Sequence, residues 1–214
     1  MKPIAHFFSI ILHPTAILTY MAILISLINP YLFGVRSLEG NAVFILQVFF
    51  STFFLPVVAA IMMYFLGFIE SLQMKDKQER IGPMIATLVF YTWVAYNFYK
   101  SSVVPTAFTV FTAGATIAMF FAFVINVFSK ISLHAIGMGG LLGMILLTMV
   151  YYDYGTFEVM GWVISTNLLL IITILLSGIV CTSRLILEAH EPIELYGGFF
   201  IGFGTQFLAM TLLT

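Results

Sequence analysis

The densest chemistry in this chain is the run SRLILEAHEPIE, Ser183 to Glu194, which holds an arginine, a histidine and three glutamates within twelve residues. His190 and Glu194 are spaced i, i+4. On a helix that spacing places both on one face, where the carboxylate accepts a hydrogen bond from one ring nitrogen. The other nitrogen is then unprotonated and free to attack, which is the orienting logic of a catalytic triad. Two further polar clusters punctuate the sequence: Lys75, Lys77 and Arg80 in SLQMKDKQERIGP, and Lys130, Ser132 and His134 in SKISLH. Cations, a hydroxyl and the amides of helix N-termini suit an anion, and phosphate is the common biological one. Two histidines beside a phosphate fit covalent catalysis, with one attacking phosphorus and the other protonating the leaving oxygen.

These groups are embedded in an apolar chain. Of 214 residues, 62% are hydrophobic and 8% charged, against roughly 25% charged in soluble domains. Such a chain cannot cover a water-facing surface, so its solvent is largely lipid. A net charge of −1 argues against nucleic acid as a partner. The single cysteine, Cys181, lies in an apolar run and forms no intrachain disulfide or Cys-based metal site.

A crossing helix needs about 20 apolar residues. Seven stretches meet or approach this, near Ile4–Ile28, Ala42–Ile69, Pro83–Tyr99, Pro105–Phe128, His134–Tyr151, Val159–Thr182 and Leu195–Leu213. The first is too long for a signal-peptide core and reads as a retained span. The third is short enough to be partly re-entrant. Pro14 and Pro56 are expected to kink their helices. The connections are short and no repeat is evident. The expected fold is therefore all-α: one domain over residues 1–214, a bundle of six to seven transmembrane helices. With seven crossings, the N-terminus and the loops at Lys75–Arg80, Lys130–His134 and Ser183–Glu194 share one membrane face. Arg36, Lys100 and Asp153 mark the other. The three polar clusters then converge.

The third cluster resembles a motif of the type-2 phosphatidic acid phosphatase superfamily, the lipid phosphate phosphatases. That motif reads S-R-x5-H-x3-D. Here Ser183-Arg184, His190 and Glu194 reproduce its spacing, with Glu for Asp. ISLH, Ile131 to His134, is similar to the family's P-S-G-H in its Ser and His but not its Pro or Gly. KDKQERIGP is similar to K-x6-R-P only in part: Gln73 stands seven residues before Arg80, and Pro83 comes three after it. The resemblance covers a core of about residues 70–214. It implies a phosphatase acting on a lipid phosphate or diphosphate, of the phosphatidic acid, phosphatidylglycerol phosphate or polyprenyl diphosphate class. It implies that His190 is the nucleophile, that Glu194 orients it and that His134 is the general acid. Ser132, Arg184, Arg80 and a lysine, Lys75 or Lys77, would hold the phosphate. No metal or other cofactor is required. The expected setting is a multi-pass protein of a bacterial cytoplasmic membrane. The cationic face favours the cytoplasmic side by the charge rule, whereas the resemblance favours the outer side.

Each residue also has a plainer reading. Arg184 and Glu188, spaced i, i+4, can be an ion pair at a helix end. Lys75–Arg80 can be a positive-inside anchor, Lys130 can snorkel, and Glu191 reads as a solvated loop charge. His13, beside Pro14, reads by default as a buried, satisfied histidine, with a place near the shared face as the alternative. GMGGLLG, Gly137 to Gly143, reads as close helix packing rather than a phosphate loop. HEPIE approaches a zinc-protease signature but carries Pro192 inside it. Three rival functions follow: a catalytically silent relative binding anionic lipid headgroups, an ion-coupled transporter and, least favoured, an intramembrane metalloprotease.

Overall fold

The computed structural model describes residues 1–74, 76–152, 155–159 and 161–214. Seven helical segments are long and apolar enough to cross a membrane: Lys2–Ile28, Pro30–Phe65, Ile81–Lys100, Thr106–Phe128, Leu133–Tyr151, Thr166–Ile186 and Pro192–Leu213. The chain is a polytopic membrane helix bundle. Side chains such as Phe7, Ile10, Val43, Val89, Ile174 and Leu175 are exposed on its outside, as expected where lipid is the solvent.

The first span is two helices, α1 (Lys2–Ile11) and α2 (Ile17–Ile28), joined by a 3₁₀ turn at Pro14–Ala16. Pro14 has no amide hydrogen to continue the α-helical ladder. The break releases carbonyls at the end of α1. The Tyr20 hydroxyl takes up that of Ile11 at 2.5 Å, and the Ser9 carbonyl turns to the site described below. The second span holds α3 (Ala42–Phe49) and α4 (Leu55–Phe65) on either side of a π-helical turn at Phe50–Phe54. That wider turn accommodates Pro56 in the second position of α4.

The third span, α5 (Ile81–Lys100), has 20 residues, enough for a complete crossing of about 30 Å. It is not re-entrant. Next come α6 (Thr106–Phe128) and α7 (Leu133–Tyr151). The expected helix start at Val159 is displaced. Thr156–Val159 and Trp162–Ser165 form an antiparallel hairpin, β1 and β2, and α8 begins at Thr166 and ends at Ile186. Gly155 and Gly161 have φ of 86° and 83°, left-handed values that glycine tolerates best, and they bracket β1. The apolar run is thus shared between a β-branched strand and a helix. The last helix is α9 (Pro192–Leu213), with Pro192 in its first turn.

Helices α7 and α9 run in parallel at backbone contact. A Cβ on Gly139 would strike the Phe199 carbonyl, one on Gly202 the Ile136 carbonyl, and one on Gly198 would lie 2.8 Å from the Ser132 carbonyl. The glycines of GMGGLLG therefore serve close packing. At the top of this pair the Ser132 amide donates to the Glu194 carbonyl at 3.4 Å. The second and third polar clusters are joined there through their backbones.

The remaining contacts bear out the expected sidedness. Arg80 reaches the Ile131 carbonyl, Lys77 the Phe128 carbonyl and Lys2 the Glu188 carboxylate. At the opposite end Asn29 donates to the Tyr152 carbonyl. Asp153, assigned to that end from the sequence, lies outside the described residues.

Candidate functional site

The turn after α8 sets the site. The Ala189 amide donates to the Arg184 carbonyl at 3.1 Å and the Glu188 amide to that of Leu185 at 2.9 Å, a Schellman closure. Glu188 sits in the left-handed region at φ 52°, a strained value for a residue that is not glycine. The turn folds His190 back toward the last turn of α8, where Arg184 lies.

Beyond it, Glu191 caps α9 in a capping box. Its side chain accepts from the backbone of Glu194, while the Glu191 amide donates to Glu194 Oε2 at 3.3 Å. Glu191 is thus a helix cap rather than a free loop charge. Glu194 Oε2 also lies 2.6 Å from His190 Nδ1. The spacing argument needs one correction. His190 precedes the helix cap, so the pair bridges the helix entry and does not share a helical face. The chemical outcome is the expected one. Nδ1–H donates to the carboxylate and Nε2 keeps its lone pair.

The His190 side chain is 2% exposed. Burial, then the charges of Arg80, Arg184 and Lys130, hold its imidazole well below the usual histidine range. Arg80 is buried, with Nε donating to the Met74 carbonyl at 2.9 Å and Nη1 to that of Ile131 at 3.3 Å. Burial lowers its pKa, and the nearby Glu194 carboxylate opposes that. Met74, like Glu188, has a positive φ, 44°. The non-glycine residues with left-handed backbone among those described thus both flank this cluster.

Arg184 turns inward. Its Nη1 donates to Ser9 Oγ at 3.4 Å, and its buried Nε has no partner among the described residues. The Arg184–Glu188 pair does not form; Glu188 bonds Lys2 at 3.4 Å, both exposed. Among the described residues the ion pair is Lys2–Glu188, and His190–Glu194 is a hydrogen bond from a neutral imidazole to a carboxylate. Neither guanidinium has a carboxylate in contact among the described residues, and both line the same chamber.

His134 lies in the same cluster. Its Nε2 donates to the released Ser9 carbonyl at 2.9 Å. His13, brought in by the Pro14 break, meets it edge-on with ring centroids 5.7 Å apart, and its Nδ1 is hydrogen-bonded to Thr15 Oγ1 at 2.7 Å. His13 and Ser9 are the site residues that sequence spacing did not supply. The signal for them was His13-Pro14, a polar residue at an obligatory helix break.

The other expected ligands are placed differently. Ser132 is fully buried and caps α7, its Oγ accepting from the Ala135 amide at 3.3 Å. Lys77 is exposed and donates to the last carbonyls of α6, Val127 at 3.3 Å and Phe128 at 3.0 Å, so it caps that helix. Lys75 lies outside the described residues.

One chamber of about 360 Å³ joins these groups to the bundle interior. Its polar end carries His13, His134, Arg80, Arg184 and His190. Its walls are mainly apolar, with Ile17, Pro56, Ile61, Met84, Met119 and Met144 among them, and carry Thr87, Tyr91 and Gln206 as well. The volume falls in the range of small-molecule sites. Cations and an oriented imidazole at one end, and methyl and methylene groups at the other, suit an amphipathic anion. No family model, curated protein or solved structure matches the chain.

Proposed function

We propose that this protein is an integral membrane phosphatase that hydrolyses a lipid phosphate or diphosphate through a phosphohistidine at His190, as the motif resemblance implies. The observation that carries this reading is the pair of inward-facing guanidiniums, Arg80 and Arg184, with no carboxylate in contact beside an imidazole whose Nδ1 is tied to Glu194. Buried cations of this kind need an anion, and phosphate presents the oxygens that a guanidinium fork matches.

In the reaction, the lone pair on His190 Nε2 attacks phosphorus. The bond from phosphorus to the lipid oxygen breaks, and that oxygen leaves with a proton from a second histidine. Water then attacks phosphorus, the bond from phosphorus to Nε2 breaks, the proton of the water passes to the second histidine, and inorganic phosphate is released. Glu194 stabilises the imidazolium character that develops as Nε2 forms its bond. The arginines hold the equatorial oxygens, which is most of what phosphoryl transfer asks of a protein.

His134 is the implied proton donor. When neutral, its one ring proton is on Nε2, in the bond to the Ser9 carbonyl. Donation therefore requires its imidazolium or release of that bond. Neighbouring His13 is a second proton carrier within the same cluster.

A second reading has an observation of its own. Ser132 and His134 are both engaged in bonds that serve the fold, as in a protein that holds anionic headgroups without turning them over. Phosphate release separates the two. Purified protein is offered phosphatidic acid, phosphatidylglycerol phosphate and a polyprenyl diphosphate, in EDTA, beside His190→Ala. Release by the wild type alone supports the phosphatase. Binding without release by folded wild type supports the headgroup binder. The bacterial cytoplasmic membrane is part of the same proposal.

A further inference from the structure

The deep end of the chamber is not wholly apolar. Gln206 lines it from α9. The residue is completely buried, and both Oε1 and Nε2 lack a partner among the described residues. Its amide is wedged against glycines of two helices: a Cβ on Gly114 would lie 2.5 Å from Oε1, and one on Gly140 3.6 Å from Nε2. Gly140 lines the chamber too. An unpaired amide in an apolar interior is unfavourable on both its donor and acceptor sides.

Gln206 is also far from the phosphate end. At 1.5 Å per residue it lies about 18 Å along α9 from Glu194, and its neighbour Gly140 about 9 Å along α7 from His134. The amide is therefore no part of the anion site. Gln206 lies in the lining of the chamber, beside the stretch where the chain of an amphipathic ligand would run.

We propose that Gln206 forms a second polar subsite that recognises a hydrogen-bonding group, a hydroxyl or a carbonyl, carried partway along the apolar chain of the ligand. This rests on the reading of the polar end as a site for lipid phosphates. It sharpens that reading, because it selects chains with a polar group about 9–18 Å from the phosphorus over plain hydrocarbon. An amide both donates and accepts, so it serves either group.

The test uses phosphonates, which bind without being hydrolysed. Two isomers, 10-hydroxydecylphosphonate and 4-hydroxydecylphosphonate, have the same composition and differ only in where the hydroxyl sits. Dissociation constants are measured for wild-type protein in nanodiscs and for Gln206→Leu. The wild type binds the 10-hydroxy isomer about tenfold more tightly, and Gln206→Leu removes that preference while still binding both. Gly114→Ala, which displaces the amide without deleting it, weakens the preference in the same direction. Equal binding of the isomers by the wild type, or of neither, overturns the subsite. Preserved discrimination in folded Gln206→Leu overturns it as well. Discrimination by a wild type that releases no phosphate from the matching phosphate esters leaves the subsite standing and rejects the phosphatase reading alone.

Discussion

Glu194 Oε2 is shared: it accepts the ring N–H of His190 at 2.6 Å and the backbone amide of Glu191 at 3.3 Å. One oxygen thus starts the last helix and fixes the tautomer of the candidate nucleophile. Glu194→Gln separates these roles. Its amide oxygen still caps the helix, so the melting temperature falls by only a few degrees, as for a loss of about 1 kcal/mol. Turnover falls by about 10²–10⁴, because the neutral amide no longer stabilises the imidazolium form. Equal activity in wild type and Glu194→Gln contradicts the orienting role.

Arg80 and Arg184 line one chamber with no carboxylate in contact among the described residues, and Arg184 Nε is buried without a partner there. Replacing Arg184 by Met removes a buried cation and its unpartnered Nε while keeping the apolar stem. The unliganded variant therefore melts no lower than the wild type and loses about tenfold or more in affinity for phosphate, the scale of one charged hydrogen bond. Added inorganic phosphate raises the wild-type melting temperature, and Arg184→Met needs about tenfold more phosphate for the same rise. Thermal scans with and without phosphate check both halves.

The acid limb of the pH profile follows from His190. Its pKa is lowered by burial and by three cations, so the reactive neutral ring persists well below pH 6.5, the ordinary value. Removing one cation, as in Lys130→Met, raises the pKa and moves the acid limb of kcat/KM upward. The stability sign is the same. Below pH 6.5 the unfolded chain takes up this proton before the folded one does, so stability falls as pH drops through that range. Profiles of kcat/KM for both proteins decide it.

The proton donor is identified by the leaving group. His134→Ala loses about 10²–10⁴ in turnover on an alkyl phosphate, whose alkoxide needs a proton. It recovers most of that on p-nitrophenyl phosphate, whose phenolate leaves without one. His190→Ala is not rescued by either substrate. If His134→Ala is unaffected and His13→Ala shows the rescue pattern, the donor is His13.

Packing gives a prediction independent of chemistry. Gly202→Ala drives a methyl group into the Ile136 carbonyl. Overpacking of this kind costs about 1–3 kcal/mol or more, and it pushes α7, with His134, away from α9. Gly204 has open space around its Cβ position, so Gly204→Ala is neutral. Melting temperatures of the two variants test the contact.

The spans were legible because each crossing requires an uninterrupted apolar run, and length alone reveals it. Their parity then placed three polar clusters on one face. The hairpin was hidden because Val163 and Ile164 suit a strand and a span equally well, and only Gly155 and Gly161 marked the turns. The His190–Glu194 pair was legible from its spacing, although the helix starts at Pro192, two residues after the histidine. Ser132 and Lys77 show the limit of residue type. A hydroxyl or ammonium that can hold phosphate also caps a helix, and the backbone supplied the nearer partners. The contribution of Ser9 and His13 depends on contacts across more than a hundred residues, which no local pattern encodes. Gln206 stood in the sequence as a lone amide within an apolar helix, and its significance came from the chamber beside it.

The central claim is a covalent bond from His190 Nε2 to phosphorus. The most direct measurement is turnover of a ³²P-labelled lipid phosphate, quenched in alkaline detergent and followed by peptide mapping at alkaline pH. The account predicts an acid-labile, base-stable label on the peptide containing His190, absent in His190→Ala and accumulating when water attack is slowed. Phosphate release at full rate with no such label, or with the label retained in His190→Ala, would contradict it.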